Sequence, residues 1–197
     1  MPLEIQQIGP ESLVRYAAVP ISFTVASQLR VTPLEAGLGG IILVEEPVQP
    51  PFVKDYDVDE PPVVWPEQFD VRNWAFFLAV AEDRRPVGGA AVAYNTGGIH
   101  MLEGRRDLTV LWDLRVHPEF RGKGVGARLF QAAEAWSRRQ CCEGEPVRQM
   151  KIETQNINVN ACRFYVRMGC TLGAIHRYAY YPRYPDETML LWYKELV

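Results

Sequence analysis

Arg121-Gly122-Lys123-Gly124-Val125-Gly126 is the stretch on which the reading of this chain turns. Alternating glycines free the backbone to curl, so that successive N–H groups can point at one anion. A helix follows: Val125, Leu129, Ala132, Ala133 and Trp136 recur at helical spacing between Gly124 and Gln140, while Arg128, Gln131, Arg138 and Arg139 stay polar. The helix start adds partial positive charge to the full charges of Arg121 and Lys123. A pyrophosphate is the natural ligand of such a loop, and a plain tight turn before a helix is the simpler alternative.

The flanks supply alternating strands and helices. Leu108 to Val116 reads as a strand ended by His117-Pro118, and Gln149 to Gln155 alternates Met150, Ile152 and Thr154 against Lys151, Glu153 and Gln155. Ala161, Phe164, Tyr165 and Met168 line one face of a short helix that stops at Gly169. Thr171 to Tyr181 and Thr188 to Tyr193 read as two closing strands. Upstream, the apolar runs Trp74–Ala81 and Val87–Tyr94 flank a turn at Asp83–Pro86, a hairpin. Earlier still, Ser22 to Val31 and Gly40 to Val44 look strand-like. Between these parts, Pro47 to Pro66 holds six prolines and the acidic group Asp55, Asp57, Asp59 and Glu60, and reads as a surface loop. The expected fold class is α/β (α+β), a mixed central sheet flanked by helices.

Composition bounds the function classes. With 197 residues, 48% hydrophobic and 11% aromatic, the chain suits one globular domain. A net charge of −3 gives no reason to expect a nucleic-acid partner. The longest apolar run, Trp74–Ala81, is too short to span a bilayer, so no membrane partner is expected. Met1-Pro2-Leu3-Glu4 shows no secretory leader. Cys141, Cys142, Cys162 and Cys170 match neither a disulfide framework nor paired zinc ligands, and His100, His117 and His176 are scattered. No metal is expected, and a reduced cytoplasmic protein is the reading.

Three phosphate-binding patterns compete for the glycine loop. A Walker loop needs Ser or Thr after Lys123, where Gly124 and Val125 stand. A dinucleotide fingerprint is closer, through Gly122, Gly124 and Ala127, but His117–Phe120 separate the strand from the glycines and Glu143 falls in a loop. The third pattern is a strand, then Val-x-x-x-x-Arg-x-x-Gly-x-Gly, then a helix, and it fits without adjustment.

Val116 to Gly126 resembles the acetyl-CoA loop of the GNAT superfamily of N-acetyltransferases, with Arg121, Gly124 and Gly126 on its signature positions. The family's second element, Asn-x-x-Ala-x-x-Phe/Leu-Tyr, is met by Asn158, Ala161, Phe164 and Tyr165. Within the superfamily, Leu108 to Lys194 is similar to streptothricin acetyltransferases. The shared residues are Glu153-Thr154-Gln155, Ile157-Asn158, Ala161-Cys162, Phe164-Tyr165, Gly173-Ala174, Tyr180, Glu187 and Trp192-Tyr193. Met168-Gly169-Cys170 replaces the usual aromatic after the helix. The resemblance implies a single N-acetyltransferase domain over 1–197, with an amino-terminal part (1–107) carrying the acidic proline-rich loop 47–66 and an acetyl-CoA-binding core (108–194).

It further implies direct transfer of acetyl from acetyl-CoA to an amine of a small molecule, without a covalent enzyme intermediate. An ammonium must lose a proton before it attacks, and the departing thiolate is helped by an acid. Tyr165 is the candidate acid, because a phenol with a reference pKa of about 10 keeps its proton at neutral pH. Its place on the apolar helix face also suits plain core. Cys162, one turn earlier, has no histidine near it in sequence to activate it and reads as packing. Asp113 and Glu153 are the candidate bases, beside a water-relayed path. Asp113 interrupts an apolar strand, which a hydrogen-bonded structural carboxylate would equally explain.

For the cosubstrate, the resemblance implies main chain of Leu114, Arg115 and Val116, the loop residues Arg121, Gly122, Lys123, Gly124, Val125 and Gly126, and Asn158, Ala161 and Tyr165. The acceptor is expected to be a small cationic amine of the streptothricin type, and a homodimer is an assembly the sequence permits. Competing readings are a non-catalytic CoA or nucleotide-binding module, a nucleotide-dependent oxidoreductase and a protein N-acetyltransferase.

Overall fold

The computed structural model describes residues 3–196; Met1, Pro2 and Val197, on which part of the leader and domain readings falls, lie outside the described residues. In chain order the elements are β1 (Leu3–Ile8), α1 (Leu13–Ala17), β2 (Phe23–Pro33), β3 (Ile41–Lys54), α2 (Trp65–Gln68), β4 (Ala75–Ala81), β5 (Pro86–Tyr94), β6 (Leu108–Val116) and α3 (Val125–Arg138). The short pair β7 (Cys141–Cys142) and β8 (Glu145–Pro146) follows, then β9 (Gln149–Gln155), α4 (Val159–Arg167), β10 (Thr171–His176) and β11 (Met189–Glu195). Seven strands form a mixed sheet in the order β1-β4-β5-β6-β9-β11-β10. The expected α/β class is what the chain adopts.

Two compact units divide the residues, and β9 and β11 run through both. The first holds the residues up to Ser22, Asp55–Ile152 and the chain from Lys194 onward. In it β1, β4, β5 and β6 pair antiparallel, and β6 pairs parallel with the start of β9. Nearly every residue of β4 and β5 is buried because both faces of the sheet are covered. Adjacent residues of a strand face opposite ways. A Cβ at Gly88 would meet Leu129 and Val125 of α3, and one at Gly89 would meet the Tyr16 ring of α1. Helix α3 therefore lies on one face. The other carries a cluster built on Leu13, Tyr16, Trp65, Trp74, Phe76 and Leu78.

The second unit holds Phe23–Lys54 and Glu153–Tyr193: the β2–β3 hairpin, the end of β9, α4 and the β10–β11 pair. Buried Asn156 ties these parts together. Its main-chain oxygen and side-chain nitrogen bond Leu29 of β2 at 2.9 and 3.0 Å, and its main-chain nitrogen and Oδ1 bond Thr188 at 3.0 and 2.8 Å. Four hydrogen bonds, two through the main chain and two through the side chain of one buried residue, satisfy the polar groups of this junction.

Several expectations need correction. Pro47 to Pro66 is not loop throughout, since Pro47–Lys54 continues β3 against β2. The register jumps between Val25↔Phe52 and Ser27↔Pro47, so Pro50 and Pro51 sit in a bulge, where a missing N–H breaks no ladder bond. The strand expected over Thr171–Tyr181 stops at His176, and residues 177–186 form turns containing Pro182 and Pro185. Strand β1 and helix α1 had no sequence signal strong enough to name.

Candidate active site

Strand β6 leaves its parallel ladder early. Leu108–Leu111 pair with Gln149–Ile152, whereas pairing with β5 continues to Val116↔Gly88. Trp112 is passed over between Ala91↔Asp113 and Val92↔Leu111, a bulge that re-aims the strand. Among the described residues, Trp112–Val116 have no strand partner on the β9 side. Unpaired main-chain groups on a strand edge are ready to bond an extended ligand.

The glycine loop begins at Arg121, seven residues beyond Leu114. Gly122 and Gly124 hold φ of +74° and +82°, and a Cβ at either would meet nothing within 4 Å. Gly124 caps α3 in this left-handed conformation, which a side-chain-bearing residue enters at a cost. Among the described residues, the amides of Gly122, Gly124, Val125, Gly126 and Ala127 donate to no protein acceptor, as the open end of a helix requires. Arg121 does not add its charge in the simple way its sequence position suggests. Its Nε and Nη2 donate to the carbonyls of Val116 at 2.9 Å and Ser22 at 2.7 Å, so the side chain braces the loop. Lys123 lies over the Phe120 ring, 5.3 Å from its centroid.

Behind β6 lies a buried ionic network that includes Asp113. The Arg115 side chain is 1% exposed and uses every donor of its guanidinium. Nε and Nη2 bond Asp113 at 2.9 and 2.8 Å, Nη1 and Nη2 bond Asp57 at 2.8 and 2.9 Å, and Nη1 also reaches the Val19 carbonyl at 3.1 Å. Tyr16 donates its hydroxyl to Asp113 Oδ1 at 2.5 Å. Burial opposes the Arg115 charge, but Asp113 outweighs it and holds the guanidinium more firmly protonated than usual. Burial, reinforced by the Asp113 carboxylate, pushes the Tyr16 phenol well above its ordinary value, so it serves as a donor. Asp57 thus belongs to the interior network rather than to the surface loop expected for its acidic group, and Tyr16 gave no sign of this role in the sequence.

The second unit carries Glu153, Asn158, Ala161 and Tyr165. Asn158 caps α4, its Oδ1 accepting from the Ala161 amide at 3.2 Å. Tyr165 is buried on α4, with its ring edge-on to Phe164 at 5.3 Å. Glu153 is half-buried at the end of β9 and accepts a 2.6 Å hydrogen bond from the Tyr180 hydroxyl. Cys162 is buried against Thr154, 3.5 Å from its Oγ1, and burial pushes the thiol up, which suits packing rather than nucleophilic attack. Tyr180 was visible in the sequence only as one member of the shared string. Among the described residues, no group of three His, Cys, Asp or Glu side chains is placed to hold a metal.

The pattern of the acetyltransferase (GNAT) family matches residues 44–170. Streptothricin acetyltransferase A of Bacillus subtilis (strain 168) is 26% identical over 151 residues, 76% of each chain. Streptothricin acetyltransferase of Escherichia coli is 33% identical over 99 residues, 49% of this chain and 54% of its own. Among solved structures, nourseothricin acetyltransferase superposes with a TM-score of 0.77 at 25% identity over 100% of both chains. A Bacillus anthracis str. Ames protein assigned as a streptothricin acetyltransferase, solved with acetyl coenzyme A, gives 0.75 at 26% identity over 99% of both. The chain belongs to the GNAT family of acetyltransferases. It is an acetyl-CoA-dependent N-acetyltransferase, which sets aside the non-catalytic module and the oxidoreductase. The residues present fit that donor: open amides at a helix start suit a pyrophosphate, and an unpaired strand edge suits an amide-bearing arm.

Proposed function

We propose that this enzyme acetylates a primary amine of a small cationic molecule of the streptothricin type, that residues 1–197 act as one acetyltransferase domain, and that it works in the cytoplasm. The observation that carries the acceptor class is similarity over the full length to nourseothricin acetyltransferase, with sequence similarity to streptothricin acetyltransferases beside it. Among the described residues no helix is long and apolar enough to cross a membrane, and all four cysteines are free thiols, which suits a reducing compartment.

In this reading the open amides of Gly122, Gly124, Val125 and Gly126 and the brace of Arg121 hold the pyrophosphate. Lys123 adds charge beside them. Main chain of Leu114, Arg115 and Val116 aligns the arm that carries the thioester and meets the negative charge that develops on the carbonyl oxygen. Asn158 and Ala161 fix the start of α4, the helix that carries Tyr165. Glu153 takes the proton from the acceptor ammonium. The freed amine forms the new C–N bond as the C–S bond breaks, Tyr165 gives its proton to the leaving sulfur, and the surplus proton of the new amide nitrogen passes through solvent to restore the Tyr165 phenol. Glu153 is preferred to Asp113 as the base because both oxygens of Asp113 are engaged by Arg115 and Tyr16.

The test is a panel of amines assayed for acetyl-CoA-dependent release of free thiol: a streptothricin, a polyamine, a lysine-like compound, a neutral amine and a peptide amino terminus. Release is expected with the cationic small molecules, the streptothricin foremost. Preference for the peptide or the neutral amine would overturn the acceptor class.

A further inference from the structure

Glu153 and Gln155 lie two residues apart on β9 and so share a face. Both reach Tyr180, which belongs to the turn segment between β10 and β11. Gln155 Nε2 donates to the Tyr180 oxygen at 3.0 Å, and the Tyr180 hydroxyl donates to Glu153 Oε1 at 2.6 Å. A phenol has a single proton to give. With the Gln155 amide donating into its oxygen, that proton is directed to the carboxylate. The 2.6 Å length is that of a charge-assisted bond.

The segment that carries Tyr180 is itself held. Tyr184 donates its amide to the Tyr180 carbonyl at 2.9 Å, and Glu187 donates its own to the Tyr184 carbonyl at 3.2 Å. Lys54 then bonds Glu187 at 2.7 Å while its Nζ lies 3.6 Å above the Tyr184 ring. The Tyr180 hydroxyl is therefore presented from a fixed support.

We infer that Tyr180 is a positioning residue for the acceptor reaction, setting the direction of the Glu153 carboxylate, with Gln155 setting the direction of the Tyr180 proton. This rests on the reading of Glu153 as the base. The last torsion of a Glu side chain has broad wells, so the direction of its carboxylate is set by the partners that bond it. A hydrogen bond to one oxygen orients the whole group toward the incoming ammonium.

A residue that acts only through Glu153 must fall silent once Glu153 is gone, so the experiment is a double-mutant cycle. Glu153→Gln is expected to lower turnover by roughly 10²–10⁴-fold, the usual loss of a general base. Tyr180→Phe is expected to lower acceptor kcat/KM by roughly 10–100-fold, the scale of a misplaced reacting group, with the acetyl-CoA KM unchanged. Added to Glu153→Gln, Tyr180→Phe should cost nothing further. Gln155→Leu, which leaves the tyrosine in place, should show a smaller loss that vanishes in the same background, and thermal melting checks that each variant is folded.

Equal losses for Tyr180→Phe with and without Glu153 would make Tyr180 merely structural and overturn the proposal, as would a Tyr180→Phe enzyme of unchanged acceptor kinetics. If Glu153→Gln itself turns over normally, the base reading falls, and the positioning role with it.

Discussion

Arg115 and Asp57 stand 58 positions apart and are joined by two parallel hydrogen bonds of 2.8 and 2.9 Å. The pair fastens the segment after β3 to the strand whose free edge is read as the thioester platform. Its strength comes from geometry: a planar guanidinium matches two carboxylates at once, with the Val19 carbonyl taking the remaining direction.

Asp57→Asn should destabilise the protein by about 2 kcal/mol, below the 3–5 typical of a fully buried pair because Asp57 keeps partial contact with solvent. In a domain of this size that is a fall in Tm of roughly 4–8 °C. Asp55→Asn, on the same segment but exposed, should move Tm by no more than about 1–2 °C. Thermal melts of the two variants side by side make the measurement. Equal shifts would show that the fork adds nothing to stability.

Gly124→Val should leave the protein folded, at a strain of roughly 1–2 kcal/mol from a side chain in a left-handed backbone. Acetyl-CoA at 100 times its Kd should stabilise the native enzyme by about 2.7 kcal/mol, whereas the variant should gain almost none. NAD and ATP should protect the native enzyme far less. Protection by NAD equal to that by acetyl-CoA would contradict the assignment of the loop.

Tyr165→Phe is expected to keep acetyl-CoA affinity while lowering kcat by roughly 10²–10⁴-fold. The hydroxyl is all that changes, so packing against Phe164 is retained. Unchanged turnover at saturating substrate would mean that Tyr165 is core and that the thiolate leaves unaided.

The acidic segment should steer a cationic acceptor through Asp55 and Asp59, both exposed, with Asp57 withdrawn into the Arg115 fork. Converting Asp55 and Asp59 together to Asn should raise the acceptor KM at low salt and flatten its salt dependence, leaving the acetyl-CoA KM in place. Kinetics at two ionic strengths read this directly. An acceptor KM indifferent to both changes removes the segment from recognition.

What the sequence by itself determined was the local grammar. The apolar runs of β4 and β5, the alternation in β9, the helical spacing of α3 and the glycines that cap it depend on neighbours only a few positions away. The pairing of the loop Arg121–Gly126 with Asn158–Tyr165 was legible for the same reason, and it sufficed for the family. Tertiary structure alone decided the rest. Asp113 meets Tyr16 from 97 positions away, Arg115 takes Asp57, and Glu153 meets Tyr180 from 27. Such partners are chosen by where the strands and turns stack, and no periodicity encodes them. The prolines of β3 misled for a related reason: proline forbids a ladder bond at one position, and only the register of the hairpin reveals that the position is a bulge. Arg121 turned from a phosphate's counter-charge into a brace because two carbonyls, one of them 99 positions off at Ser22, lie within its reach.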